Sequence, residues 1–171
     1  GKPNSDDSQR PERANPPKKR SIIFSPHPDD DVISMGGTFI RLVDQGHDVH
    51  VAYQTSGNTA VWDDDVLRYM EFAIDFAESR GENAKDLHNV NDEMRKFFEI
   101  KQPNQIDTKE IRNVKGFIRK SEAIAGARYA GLPDSNIHFQ ALPFYETGKT
   151  QKNSVTDKDV ELTMQLLQKV K

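Results

Sequence analysis

The residues with the most chemistry stand together in one short run, Pro26-His27-Pro28-Asp29-Asp30-Asp31. An imidazole and a carboxylate three residues apart, on a turn from strand to helix, can converge on one ion. The prolines on both sides of His27 restrict its backbone. Successive acids repel one another unless a cation or solvent compensates. This set suits a catalytic metal centre. A zinc ion in such a centre takes three protein ligands and keeps one position for water, whose pKa falls to about 7. A further carboxylate can take that water's proton as general base. The Asp-Asp pair offers both roles, one ligand and one base. The competing reading is helix capping, because a single Asp at a helix start is ordinary. A histidine between prolines followed by three acids is more than capping needs.

The surrounding elements must place this turn. Ser21 to Ser25 is a short apolar, β-branched run closed by Pro26, which reads as a buried parallel strand. Asp30 to Gln45 carries Val32, Ile33, Met35, Phe39, Ile40, Leu42 and Val43 at helical spacing, with Gly46 as its stop. Gly36 and Gly37 weaken that helix, and close approach to the strand would explain them. Asp48 to Thr55 alternates like a second strand. Helices are expected over Val66 to Ser79, Asp86 to Glu99 and Thr108 to Ala130. A third strand is expected over Asn136 to Leu142, and a last helix is capped by Ser154 or Thr156. The order predicts an α/β fold, a three-layer Rossmann-like, mostly parallel sheet. Ligands in such sheets bind outside the carboxyl ends of the strands, where His27 and Asp29 to Asp31 fall. Three strands are few, and a chain that ends on a helix normally feeds another strand. The sequence reads as C-terminally truncated, with residues 21–171 the N-terminal part of a domain. Residues 1–20, rich in Pro, Asn, Ser and charge, read as a flexible linker or arm.

Composition narrows the function classes. The 171 residues carry a net charge of -3, so no strong basic field attracts nucleic acid or a membrane surface. Lys18-Lys19-Arg20 reads as a solvated flank of the first strand. Mean hydropathy is -0.80, and no apolar run spans a bilayer. The expectation is a cytoplasmic protein. Cysteine is absent, so a metal must bind through nitrogen and oxygen, and such a site accepts several divalent ions besides zinc. No phosphate-binding glycine motif follows the first strand. A receiver-like magnesium pocket is disfavoured, because Leu142-Pro143-Phe144 stands where an acceptor Asp belongs after the third strand.

Ser21 to Gly37 (SIIFSPHPDDDVISMGG) resembles the opening motif of the LmbE-like (PIG-L-like) N-acetylglucosaminyl deacetylases. Arg119-Lys120-Ser121-Glu122-Ala123 is similar to that family's Arg-x-x-Glu helix. The stretch Leu142 to Gly148 resembles a subgroup in which the domain is fused behind a glucosamine-6-phosphate deaminase-like domain. The resemblance implies zinc-dependent hydrolysis of an N-acetyl amide on an amino sugar, in a parent protein that can be a homo-oligomer. It implies His27 and Asp30 as metal ligands and Asp29 as general base. Asp31 stands where the family usually has Glu, in a supporting or capping role. Arg119 would reach the substrate or, as plainly, pair with Glu122 or Glu110. Ser56 and Asn58, after the second strand, would line the pocket or form a polar turn. The family's later histidine motif, which supplies a third ligand, is missing from these residues, so the fragment itself is expected to hold metal weakly and turn over little. His138, inside the third strand, reads as a strand histidine. Asp63-Asp64-Asp65 reads as helix-start acids in preference to a second metal site. Trp62 either stacks on a sugar or covers its loop. The alternative from another class is a non-catalytic module that binds an amino sugar or stabilises its fusion partner.

Overall fold

The computed structural model describes residues 16–149 and 151–171. Most of the expected linker, residues 1–15, lies outside them. Strands β1 (Arg20–Ser25), β2 (Asp48–Tyr53) and β3 (Ile137–Phe139) form one parallel sheet in the order β1-β2-β3. Ile23 pairs with Val51 across the first two strands, and Ala52 pairs with His138 across the next two. Helix α1 (Asp30–Asp44) makes the crossover from β1 to β2. Helices α2 (Asp63–Ser79), α3 (Lys85–Ile100) and α4 (Lys109–Tyr129) precede β3, and α5 (Asp157–Val170) follows it.

Strand alternation sorts the core into layers. Ile23, Val49, Val51 and Tyr53 face Phe39 of α1 and Ala123, Ala127 and Ala130 on the second half of α4 and just after it. The opposite face presents Ala52 and Ile22 to Leu166 and Val170 of α5. Helices therefore cover both faces of the sheet, as expected. The first half of α4 packs elsewhere. Its Ile111 joins Val66 and Met70 of α2 and Met94 of α3 in a second core.

Local details differ from expectation for physical reasons. Helix α2 begins at Asp63, three residues early, because its acids suit the positive start of a helix. Thr108 caps α4 by accepting from the Ile111 amide at 3.3 Å. Thr156, not Ser154, caps α5 in a reciprocal box with Asp159. Close helix–strand approach does not explain the glycine pair. A Cβ on Gly36 would meet only Val32 at 3.8 Å, and one on Gly37 would meet nothing within 4 Å. The helix instead breaks its geometry at Met35, just before the pair. Arg20 is part of β1 and pairs with Asp48 at 2.5 Å, and Lys18, Lys19 and Arg20 are all exposed, as a solvated flank would be.

Charge is also buried between the α2–α4 helices. The Lys115 ammonium lies 2.6 Å from Asp63 and 2.7 Å from Asp107, and Lys101 bridges the same two acids. Burial alone would raise the Asp63 carboxyl, but hydrogen bonds and charge from Lys101 and Lys115 hold it below its ordinary value. Burial pulls Lys101 down, yet Asp107 and Asp63 push it further up. Asp63 therefore stabilises the fold fully above its unfolded pKa of about 4, and this is lost as pH falls through the lower folded value. Lys101 contributes fully below about pH 10.4, and this is lost as pH rises through its higher folded value. Stability from this cluster should be flat between roughly pH 5 and pH 10 and fall on both sides. Lys115→Met leaves two acids on one cation and should cost about 2–3 kcal/mol, less than the roughly 3–5 kcal/mol of a fully broken buried pair because Lys101 still serves both acids. Amide exchange in α2 and α4 should accelerate about 30- to 150-fold; unchanged exchange would refute the assignment.

Candidate active site

The site is built on the carboxyl edge of the sheet. After Ser25 the chain turns sharply, with the Asp29 and Asp30 amides both donating to the His27 carbonyl at 2.8 and 3.3 Å. This turn brings the Asp30 carboxylate back onto His27. Asp30 Oδ2 accepts from the His27 amide at 2.9 Å and lies 3.1 Å from His27 Nδ1. The loop after β2 is tied to the same turn, since Thr55 Oγ1 donates to the Pro26 carbonyl at 2.7 Å. Gly57 sits at φ +64, and a Cβ there would come within 2.8 Å of Pro28 and 3.2 Å of Arg119. Only glycine lets the second loop close over the first.

Asp29 occupies the N-cap position of α1 but makes no side-chain cap hydrogen bond. Its carboxylate turns outward and meets Arg119 Nη2 at 2.9 Å. Capping therefore does not account for Asp29. Arg119 comes from the middle of α4, and Glu122 holds its other terminal nitrogen at 3.5 Å. Its Nε is buried without a partner among the described residues. The expected pairing with Glu122 is present; among the described residues Arg119 makes no pair with Glu110, and Asp29 takes that place.

Asp31 turns inward and is 1% exposed. It accepts from Tyr53 Oη at 2.8 Å, and its Oδ1 lies 3.2 Å from Ser25 Oγ. Its amide donates to Ser25 Oγ at 3.0 Å. Burial, then the Asp31 charge and hydrogen bond, push the Tyr53 phenol far up, so it stays a donor. Asp31 thus locks the start of α1 to β1 and β2, which is the supporting role expected of it.

Ser56 and Asn58 are held by Glu146, from the stretch Leu142 to Gly148. Glu146 accepts from the Ser56 amide at 2.7 Å, from Ser56 Oγ at 2.8 Å and from Asn58 Nδ2 at 3.2 Å. Tyr145 is buried with its ring edge-on to His27 at 5.5 Å, and its hydroxyl lies 3.0 Å from Thr59 Oγ1. The available signal was position: both residues follow β3 at the edge where β1 and β2 end. A cavity of about 420 Å³ opens beside the turn, with Pro28, Ser56, Asn58 and Glu146 on its near side. Trp62 is 80% exposed and does not line it.

His27 and Asp30 can be tested as metal ligands by their spacing. Two ligands of a tetrahedral ion with bonds of about 2.0–2.1 Å lie roughly 3.3 Å apart. The observed 3.1 Å between Nδ1 and Oδ2 is that of a hydrogen bond between the two side chains and is close to this separation; both side chains are accessible to solvent. Among the described residues no group of three or more His, Asp or Glu converges on one point. His50 and His138 are 3.0 Å apart on the sheet but use opposite nitrogens of His50 for His138 and Asp48, which is a hydrogen-bonded chain. Burial, then the charges of Lys169 and His50, press the His138 pKa down. His138 is therefore a buried strand histidine. Asp63 is engaged by lysines and Asp65 by Arg68, as helix-start acids. No helix among the described residues is long and apolar enough to cross a membrane.

Comparison with known proteins agrees with the motif. A glucosamine-6-phosphate deaminase-like protein of Bacteroides thetaiotaomicron is 51% identical over 173 residues. The alignment covers all of this chain but 26% of that relative, so the chain spans about a quarter of its length. No solved structure matches the chain. The family model for GlcNAc-PI de-N-acetylases, PIG-L, matches residues 22–169, so the chain belongs to that family.

Proposed function

We propose that this chain carries the catalytic side of a metal-dependent N-deacetylase site for an N-acetylated amino sugar or similar amide. The observation that supports this most is the division of labour in the turn. His27 and Asp30 face each other at ligand spacing, while Asp29 stands beside them, off the helix cap and aimed by Arg119. His27 and Asp30 would hold the ion, zinc or another divalent cation, and a further nitrogen or oxygen ligand is needed to complete a three-ligand set. When bound, such an ion brings the pKa of water near neutrality and polarises a carbonyl.

The chain's own residues would do the rest. Asp29 takes a proton from the attacking water as the water oxygen bonds to the acetyl carbon. The carbon–nitrogen bond then breaks, and the proton passes from Asp29 to the leaving amine. The products are acetate and the free amino sugar. Arg119 fixes the Asp29 carboxylate, and its buried Nε faces Gly57 in the loop that bears Ser56 and Asn58. Ser56 and Asn58, oriented by Glu146, present polar atoms to the cavity where a sugar hydroxyl would sit.

A second reading is a module that binds an amino sugar without hydrolysing it. It draws on the two-ligand set among the described residues. Acetate release from N-acetylglucosamine and its derivatives by the intact protein separates the two. The deacetylase reading expects release that stops on chelation and returns with a divalent metal. No release with any metal would leave the binding module.

A further inference from the structure

The cavity beside the turn has a second wall whose chemistry the deacetylation reading does not use. Lys109, Arg112, Asn113, Gly116, Phe117 and Lys120 line it from α4. Their spacing of three and four residues places them along one stripe of the helix. Three cations therefore face the cavity, and the opposing carboxylate, Glu146, is already occupied by three hydrogen bonds from Ser56 and Asn58. Among the described residues, no carboxylate pairs with Lys109, Arg112 or Lys120. Arg112 reaches only the Asp107 carbonyl, at 3.4 Å, and Lys120 lies over the Phe139 ring at 5.1 Å. The arginines and lysines elsewhere on α4 behave differently: Lys115, Arg119 and Arg128 each hold an acid.

Lys109 and Arg112 also lie in the first turn of α4, where a helix disfavours positive charge. Local helix stability does not call for them there. An anion in the cavity would reverse the sign of that interaction. Arginine offers a planar fork suited to phosphate or carboxylate oxygens, and lysine a compact charge. The three cations less the one Glu146 carboxylate leave two positive charges, which match a phosphate monoester carrying about -1.5 to -2 at neutral pH. The volume, about 420 Å³, is at the lower end of the range for small-molecule sites and suits one sugar ring with its substituents.

We infer that this wall binds a phosphate group on the substrate, so the substrate class is a phosphorylated N-acyl amino sugar. The assignment rests on the deacetylase reading for the acyl end and on the α4 cations for the phosphate end. Phe117 and Phe139 supply the apolar surface between them.

The test labels lysines in the intact protein with an amine-acylating reagent and reads each site by mass spectrometry. N-acetylglucosamine 6-phosphate should slow labelling of Lys109 and Lys120 at least threefold relative to Lys96 on α3. N-acetylglucosamine at the same concentration should not. Inorganic phosphate should protect weakly, which would show the anion alone is recognised. An N-acetylated uronic acid that protects as well as the phosphate would overturn the phosphate assignment. Equal labelling with every ligand would overturn the site. In the double variant Lys109→Gln/Arg112→Gln, the KM advantage of the phosphorylated over the unphosphorylated sugar, expected to be tenfold or more, should collapse toward one. The two readings fail separately. Protection without acetate release from any sugar removes the deacetylase reading and keeps the anion site. Acetate release without protection removes the anion site alone.

Discussion

Asp29→Asn in the intact protein should lower acetate release by about 10²- to 10⁴-fold, the usual contribution of a general base. Asparagine keeps the size of the side chain and can still meet Arg119 through its carbonyl oxygen. It cannot take a proton from water. The ligands proposed for the ion, His27 and Asp30, are untouched, so metal content should not change. The backbone of the turn should also persist, because Asp29 contributes its carbonyl, not its side chain, to the start of α1, accepting from the Val32 and Ile33 amides at 3.0 and 2.9 Å. The signature is a loss in kcat with metal retained. Activity within threefold of the unmodified protein would remove Asp29 from the base role.

Asp31→Ala should instead damage the fold. The carboxylate is 1% exposed and accepts from Tyr53 Oη, with Ser25 Oγ close by. Hydrogen bonds to a charged group are worth about 1.5–3 kcal/mol each, and removing one partner leaves the other buried. Tyr53 keeps a second acceptor in the Ala123 carbonyl at 3.2 Å, which limits the loss. The expected cost is about 2–4 kcal/mol. Amides in β1 and α1 should exchange about 30- to 1,000-fold faster by hydrogen-exchange mass spectrometry. Asp31→Asn should cost less, because an amide oxygen can still accept from Tyr53. If Asp31→Ala exchanged like the original chain, the carboxylate would not be what joins the turn to the sheet. This pair of variants separates adjacent acids that look alike in sequence: one acts on chemistry, the other on structure.

The turn was legible because its constraints are local. A β-branched run ended by Pro26, with prolines around His27, leaves few conformations for a strand-to-helix turn. Crossing from β1 through α1 to a parallel β2 followed from alternation and helical spacing alone. The length of β3 was not legible. The apolar pattern continues to Leu142, but Ala141 takes a positive φ of 47, and the chain leaves the sheet after Phe139. Two later amides, those of Gln140 and Leu142, still bond to the Tyr53 and Gln54 carbonyls, so pairing weakens before it stops.

The partners of the site were harder to read than the site itself. Arg119 is 90 residues from Asp29, and nothing in its spacing distinguishes it from an arginine paired within its own helix. Both contacts form, and only the packing of α4 against the sheet shows it. Glu146 likewise depends on how the segment after β3 folds back over Ser56 and Asn58. The cationic stripe of α4 looks, in sequence, like any solvated helix face. It becomes a cavity wall through the loops that rise opposite it.

Whether His27 and Asp30 hold a divalent ion is read from metal binding itself. Intact protein, stripped by chelation and titrated with zinc under conditions where each site can be counted, should lose one site in the variant His27→Ala/Asp30→Ala. The lost site should also disappear, or weaken at least tenfold, in each single variant. The substitutions lie on a solvent-accessible turn, so amide exchange in β1 and α1 should remain near that of the original chain. Equal zinc stoichiometry and affinity in the double variant and the unmodified protein would mean that His27 and Asp30 do not hold the ion.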